Sequence, residues 1–118
     1  MKIDLALLME ENLDQVWSQR DALARMQAIQ TIYTNDSNLY HVGHQTTGYD
    51  AINASVSNVV ERMPPDLSFF KLKPVVINNN IGRLIWGVGS NCQSIVSTGM
   101  DIAVFEDGRI KSLYVFLD

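Results

Sequence analysis

Gly99-Met100-Asp101-Ile102-Ala103-Val104-Phe105-Glu106-Asp107-Gly108-Arg109-Ile110 is the stretch on which the fold turns. β-Branched and aromatic residues lead up to Asp107-Gly108, a dipeptide suited to the positive φ angles of a tight hairpin, and a second such run, Ile110–Leu117, leaves it. Two antiparallel strands therefore end the sequence. Alternation in the first places Asp101 on the same face as Ala103 and Phe105, with apolar residues flanking it. The register of the hairpin has two solutions. A two-residue Asp107-Gly108 turn sets Tyr114 opposite Asp101; a three-residue Glu106-Asp107-Gly108 loop sets Leu113 there and changes the inner face of the last strand.

Upstream, Phe69–Ile77 and Arg83–Val88 have the same strand composition and are parted by the turn Asn78-Asn79-Asn80. Pro74 inside the first of them implies a bend, a bulge or an edge position. Before Pro64-Pro65 the period is helical. Leu5, Leu8, Met9, Leu13, Val16 and Trp17 form a stripe interrupted by Asn12. After a break at Ser18–Asp21, Asp21 caps a second helix with Leu23, Met26, Ile29 and Tyr33 on one face. Asn35-Asp36-Ser37 reads as a turn and Leu39–Val42 as a short strand ended by Gly43. Gly48 and Asp50 open a third helix carrying Ile52, Val56, Val59, Val60 and Met63, and the two prolines stop it. The expected class is α+β in one domain, 1–118. Three N-terminal helices pack in a strongly curved, mixed but mainly antiparallel sheet, and a cavity lies between the layers.

The 118 residues are 47% hydrophobic, ample for a packed core, and their net charge is -4. The scattered Lys and Arg residues give no phosphate-tracking surface, so nucleic acid is not an expected partner. Cys92 stands alone in a polar stretch, which excludes an internal disulfide and a cysteine metal cluster. No apolar stretch approaches the ~20 residues that span a bilayer, so no membrane partner is expected. Leu5–Met9 is too short for a signal segment, and the expected location is cytoplasmic.

Asp101 is the first candidate for chemistry. A carboxyl on the inner face of a sheet is desolvated, so it can act as general acid, base or neutral hydrogen-bond donor. Its plainer reading is a carboxylate facing solvent or paired with an Arg. His41, at the end of Leu39-Tyr40-His41, is the second, with an ordinary pKa suited to proton transfer; its plainer reading is a structural histidine. Trp17, Tyr33, Trp86 and Tyr114 are candidate pocket walls, or core. His41 and His44 lack a third protein ligand for a metal, and neither metal nor cofactor is expected.

The chain resembles the nuclear transport factor 2-like superfamily in its SnoaL-like, polyketide cyclase and ketosteroid isomerase branch. Ile32-Tyr33-Thr34-Asn35-Asp36, Gly48-Tyr49-Asp50-Ala51-Ile52, Arg83-Leu84-Ile85-Trp86, Gly99-Met100-Asp101 and Asp107-Gly108-Arg109-Ile110 carry the likeness, with the closing Tyr114-Val115-Phe116-Leu117-Asp118. It implies a cone-shaped, cystatin-like roll, often a homodimer through the outer sheet face. It also implies a pocket for a hydrophobic cyclic compound, used by an isomerase, cyclase or hydratase, or a non-catalytic binding or interaction module. Against ketosteroid isomerases, Asp101 looks like the protonated acid that donates to an oxyanion. His41 takes the place of the aspartate base, Tyr33 that of a supporting tyrosine and Trp17 that of the oxyanion tyrosine. Two of those groups are therefore replaced.

Overall fold

Asp4 opens the first helix by accepting a hydrogen bond from the Leu7 amide. In this computed structural model, which describes residues 3–41 and 43–118, helix α1 (Leu5–Glu11) runs on into a π-wound segment, Asn12–Trp17. The wider winding turns Asn12 inward together with Leu13, Val16 and Trp17. Asn12, the polar break in the stripe, accepts a 2.6 Å hydrogen bond from the buried Tyr33 hydroxyl.

Asp21 caps α2 (Ala22–Ile32) as expected. The buried side of α2 is not the expected one. Leu23 is 80% exposed, and the helix turns Arg25, Ile29 and Ile32 inward. Arg25 takes the interior position because carbonyl and hydroxyl oxygens await it. It donates to the Gln19 carbonyl, to the carbonyl and side chain of Asn53, and to Ser57 Oγ. Those contacts fasten α2 to α3 (Tyr49–Glu61), which buries Ile52, Val56 and Val60. Gly48, with φ of +93°, makes the turn into α3 that a side chain would strain. At the other end Arg20 donates to the carbonyls of Val60, Met63, Pro64 and Leu67, tying down the Pro64-Pro65 segment.

The strands are β1 (Tyr33–His41), β2 (His44–Thr47), β3 (Ser68–Lys71), β4 (Val76–Asn78), β5 (Ile81–Gly89), β6 (Ile95–Glu106) and β7 (Arg109–Leu117). They form one sheet in the order β2-β1-β7-β6-β5-β3, with β4 also on β5. The β1–β7 pair is parallel and the others antiparallel, so the sheet is mixed and mainly antiparallel as expected. The run Phe69–Ile77 divides into two edge strands with Pro74 in the gap, because proline cannot donate to the ladder.

Two irregularities bend the sheet. Asn35-Asp36-Ser37 is not a turn between elements. It lies inside β1, where the register with β7 jumps from Tyr33–Ile110 to Asn38–Ser112 and the extra residues bow outward. On β7, pairing with β6 jumps from Phe105–Ile110 to Val104–Ser112, leaving Lys111 as an unpaired extra residue. Lys111 Nζ lies 2.6 Å from Asp36 Oδ2, bridging the two distortions. Asp107 and Gly108 do make the two-residue turn, both with positive φ. The bulge then advances β7 by one residue, so neither Tyr114 nor Leu113 but Val115 stands opposite Asp101. Val42, the expected end of the short strand, lies outside the described residues. Among the described residues no helix is long and apolar enough to cross a membrane.

Replacing Tyr33 with Phe strands the Asn12 carbonyl oxygen in the core. Urea unfolding of Tyr33→Phe should show a loss of about 1–3 kcal/mol with an unchanged slope. A variant as stable as the parent would mean that Asn12 has another partner.

Candidate functional site

Cross-strand pairing sets four side chains in one row on the concave face: Leu84 on β5, Asp101 on β6, Val115 on β7 and His41 on β1. Three of them, Asp101, Val115 and His41, line a cavity of about 150 Å³ that Leu13, Trp17, Val59, Phe69, Trp86 and Leu117 complete. Adjacent strands lie about 4.8 Å apart. His41 and Asp101 therefore stand about 10 Å apart at backbone level, with Val115 between them. They face the cavity from two sides and do not form a contact pair.

Asp101 is 3% exposed. Its Oδ1 accepts a 2.9 Å hydrogen bond from Trp86 Nε1, a diagonal contact between neighbouring strands. Gly99 makes this possible. It pairs with Trp86, and a Cβ there would come within 2.3 Å of the indole ring and 2.5 Å of the Phe116 carbonyl oxygen. The missing side chain lets the indole lie across β6 and reach Asp101. Burial pushes the Asp101 carboxyl up to about 7, against a smaller downward pull from the Trp86 hydrogen bond. At neutral pH both its acid and its base form are populated.

Burial, with a lesser contribution from His44, holds the His41 imidazole below its ordinary pKa, so it is neutral at pH 7. Its Nε2 is buried and has no hydrogen-bond partner among the described residues. The His41 and His44 rings lie 5.2 Å apart. Trp17 and Trp86 both stand edge-on to Phe69, at 6.0 and 5.2 Å between ring centroids. The three rings make one aromatic wall. The buried Trp17 indole N–H is near enough to the Tyr33 hydroxyl to offset slightly the rise in pKa that burial causes there, without the geometry of a full hydrogen bond.

The structure thus brings Asp101, His41, Trp17 and Trp86 to one cavity. Tyr33 is not among its lining residues. It lies fully buried beside the wall, bonded to Asn12, and burial followed by the nearby Asp101 charge keeps its phenol protonated far above the ordinary range. Tyr114 as a pocket wall is corrected. The bulge at Lys111 turns it to the outer face, where it stacks on Tyr40 at 4.5 Å and is 37% exposed. Sequence reasoning missed Phe69, Val59 and Val115. Phe69 sits in a run whose proline obscured its strand; Val115 shares the inner face with Leu113, as the three-residue-loop register implied, but its place opposite Asp101 follows only from the bulge.

Several solved structures have this architecture. A candidate isomerase of the SnoaL-like family from Agrobacterium tumefaciens superposes with a TM-score of 0.85 at 20% identity, covering 95% of each chain. This is the nuclear transport factor 2-like, SnoaL-like fold. A candidate SnoaL-like polyketide cyclase from Jannaschia sp. CCS1 has a TM-score of 0.80 at 12% identity, over 100% of this chain and 89% of that one. A nuclear transport factor 2-like protein of unknown function from Exiguobacterium sp. 255-15 has 0.72 at 21%, over 94% and 98%. No family profile and no curated protein matches the sequence. At these identities the SnoaL-like likeness is one of fold, and chemistry has to be argued from the cavity.

The raised Asp101 pKa is also a statement about stability. Between the unfolded value near 3.9 and the folded value of about 7, the native state holds a proton that the unfolded chain has released. Stability from this group is therefore fully present below pH 4 and falls as pH rises, by on the order of 4 kcal/mol at pH 8. Asp101→Asn keeps an acceptor for Trp86 and cannot ionise. Its stability relative to the parent should climb from pH 4 to 8 in urea titrations, and a flat difference would contradict a buried, titrating Asp101.

Proposed function

We propose that the cavity binds a compact hydrophobic cyclic molecule and that Asp101 and His41 act on it as an acid/base pair, in a reaction of isomerase, cyclase or hydratase type. The observation that carries this reading is a buried carboxyl, bonded to the Trp86 indole, on the floor of a mainly apolar cavity that His41 also lines; burial pushes that carboxyl up to about 7. A general acid or base works best with a pKa near the working pH. In its protonated form Asp101 donates to a ligand carbonyl and steadies the charge that develops there. Neutral His41, on the far side of Val115, is placed to take a proton from another carbon of the same ligand. Both side chains line the cavity of about 150 Å³, which is room for one small molecule in reach of both. The neighbours named as candidate isomerase and cyclase are in keeping with such chemistry.

Size narrows the ligand. A void of about 150 Å³ accommodates about one six-membered ring, as in small apolar cavities that take up benzene. A steroid nucleus exceeds it. The apolar outer sheet face, with Tyr114, Phe116 and the Tyr40 stack exposed or half-buried, supports a homodimer through that surface. A binding module without turnover is the second reading, favoured by the lack of direct contact between His41 and Asp101.

Trp17 and Trp86 are the chain's two tryptophans and both line the cavity, so intrinsic fluorescence reports its occupancy directly. Cyclohexanone and cyclohex-2-enone should change the emission saturably, and a steroid ketone should not. The parent protein should also speed deuterium exchange next to the carbonyl of cyclohexanone, followed by NMR in heavy water. Asp101→Asn should lower that rate about 10²- to 10⁴-fold. Binding without exchange in the parent would select the non-catalytic module; no binding of any ring compound would sink the pocket reading.

A further inference from the structure

His41 and Val59 belong to two cavities at once. On one side is the apolar pocket; on the other is an open groove of about 430 Å³ lined also by His44, Gln45, Thr46, Ser55, Asn58 and Arg62. Helix α3 supplies Ser55, Asn58 and Val59, and its C-cap residue Arg62, three and four residues on from Val59 and Asn58, continues their stripe. The β1–β2 hairpin supplies the rest. We infer that this groove is an anion subsite, and that the ligand is an amphipathic carboxylate: a ring in the apolar pocket with a short arm ending on Arg62, His44 and Thr46. This inference rests on the pocket reading above and names the substrate class within it.

The groove contains no acidic side chain. Arg62 makes no side-chain hydrogen bond or salt bridge among the described residues, in contrast to Arg20 and Arg25, whose guanidinium groups are committed to carbonyl and side-chain oxygens. Glu61, the adjacent carboxylate, follows Asn53 and Ser57 on the stripe that faces Arg25, and its charge acts on that residue. Thr46 Oγ1 and His41 Nε2 are buried without partners. A carboxylate accepts from Arg62 and from the Thr46 hydroxyl at once, and charge-assisted bonds to a guanidinium are the stronger kind. His41 at the boundary then touches both the ring and the arm.

Phenylacetate and 3-phenylpropionate, each against its amide, test this through the tryptophan emission. The acids should bind about tenfold more tightly than the amides at low salt, and the preference should shrink as salt rises. In Arg62→Gln the acid-to-amide ratio should collapse towards one, and Arg62→Lys should restore part of it. The exposed Arg62 side chain has no structural bond to lose, so circular dichroism and melting temperature of both variants should match the parent. Acids and amides binding equally, or an acid preference unchanged in Arg62→Gln, overturns the anion subsite and leaves the pocket reading standing. Failure of every one of these compounds and of the neutral ketones overturns both.

Discussion

The hydrogen bond from the Trp86 indole to Asp101 is the contact around which the concave side of the sheet is arranged. A carboxyl withdrawn from water costs several kcal/mol unless it is neutralised or bonded. Here both remedies operate: one oxygen accepts from Trp86, and the group holds its proton to about pH 7. Gly99 is part of the same device, since any side chain there meets the indole ring and the Phe116 carbonyl. Three residues on two strands therefore share one constraint. The empty space at Gly99 lets the ring lie flat, the ring reaches the acid, and the acid ends up under a ceiling of aromatic and aliphatic side chains.

That ceiling depends on curvature. The outward bow of β1 and the extra Lys111 on β7 occur side by side and are joined by the Lys111–Asp36 ion pair. Bulges increase local twist and bend, and two in adjacent strands bend the sheet around the helices. Past them, His41, Val115 and Asp101 fall into one row facing α1, its π-wound extension and α3. The π-wound segment does the complementary work from the helical side. It turns Trp17 and Leu13 into the cavity while giving Asn12 a partner in Tyr33. Arg25 and Arg20 hold the helices against each other through backbone oxygens, and neither reaches the cavity.

The resulting space is divided by chemistry. Its interior is aromatic and aliphatic with one acid; its mouth, beyond His41, is polar with one free cation among the described residues. An apolar cavity alone would not discriminate among small ring compounds, because a methylene more or less changes affinity only modestly. A polar mouth adds a directional requirement. The same fold carries many chemistries, and in this chain a buried carboxyl on the cavity floor lies near a hydrogen-bonding rim.

The sequence by itself determined the three helices and a mainly antiparallel sheet, the Asp21 cap, the stop at Pro64-Pro65 and the Asp107-Gly108 turn. These follow from local chemistry: periodicity, capping side chains, ring closure in proline and positive φ are all properties of a few neighbouring residues. It left open which way Asp101 faces, passed over β2 and assigned Tyr33 to the second helix rather than to β1. The tertiary structure decided what depended on register and long-range pairing. It put Val115 opposite Asp101, sent Tyr114 to the outer face, turned Arg25 rather than Leu23 inward and folded Asn35-Asp36-Ser37 into a strand. One inserted residue reverses every side chain beyond it, and no local property of Lys111 announces that the pairing skips there. The same holds for Phe69 and Arg62, whose places at the cavity and the groove follow from which strand and helix they face across the fold.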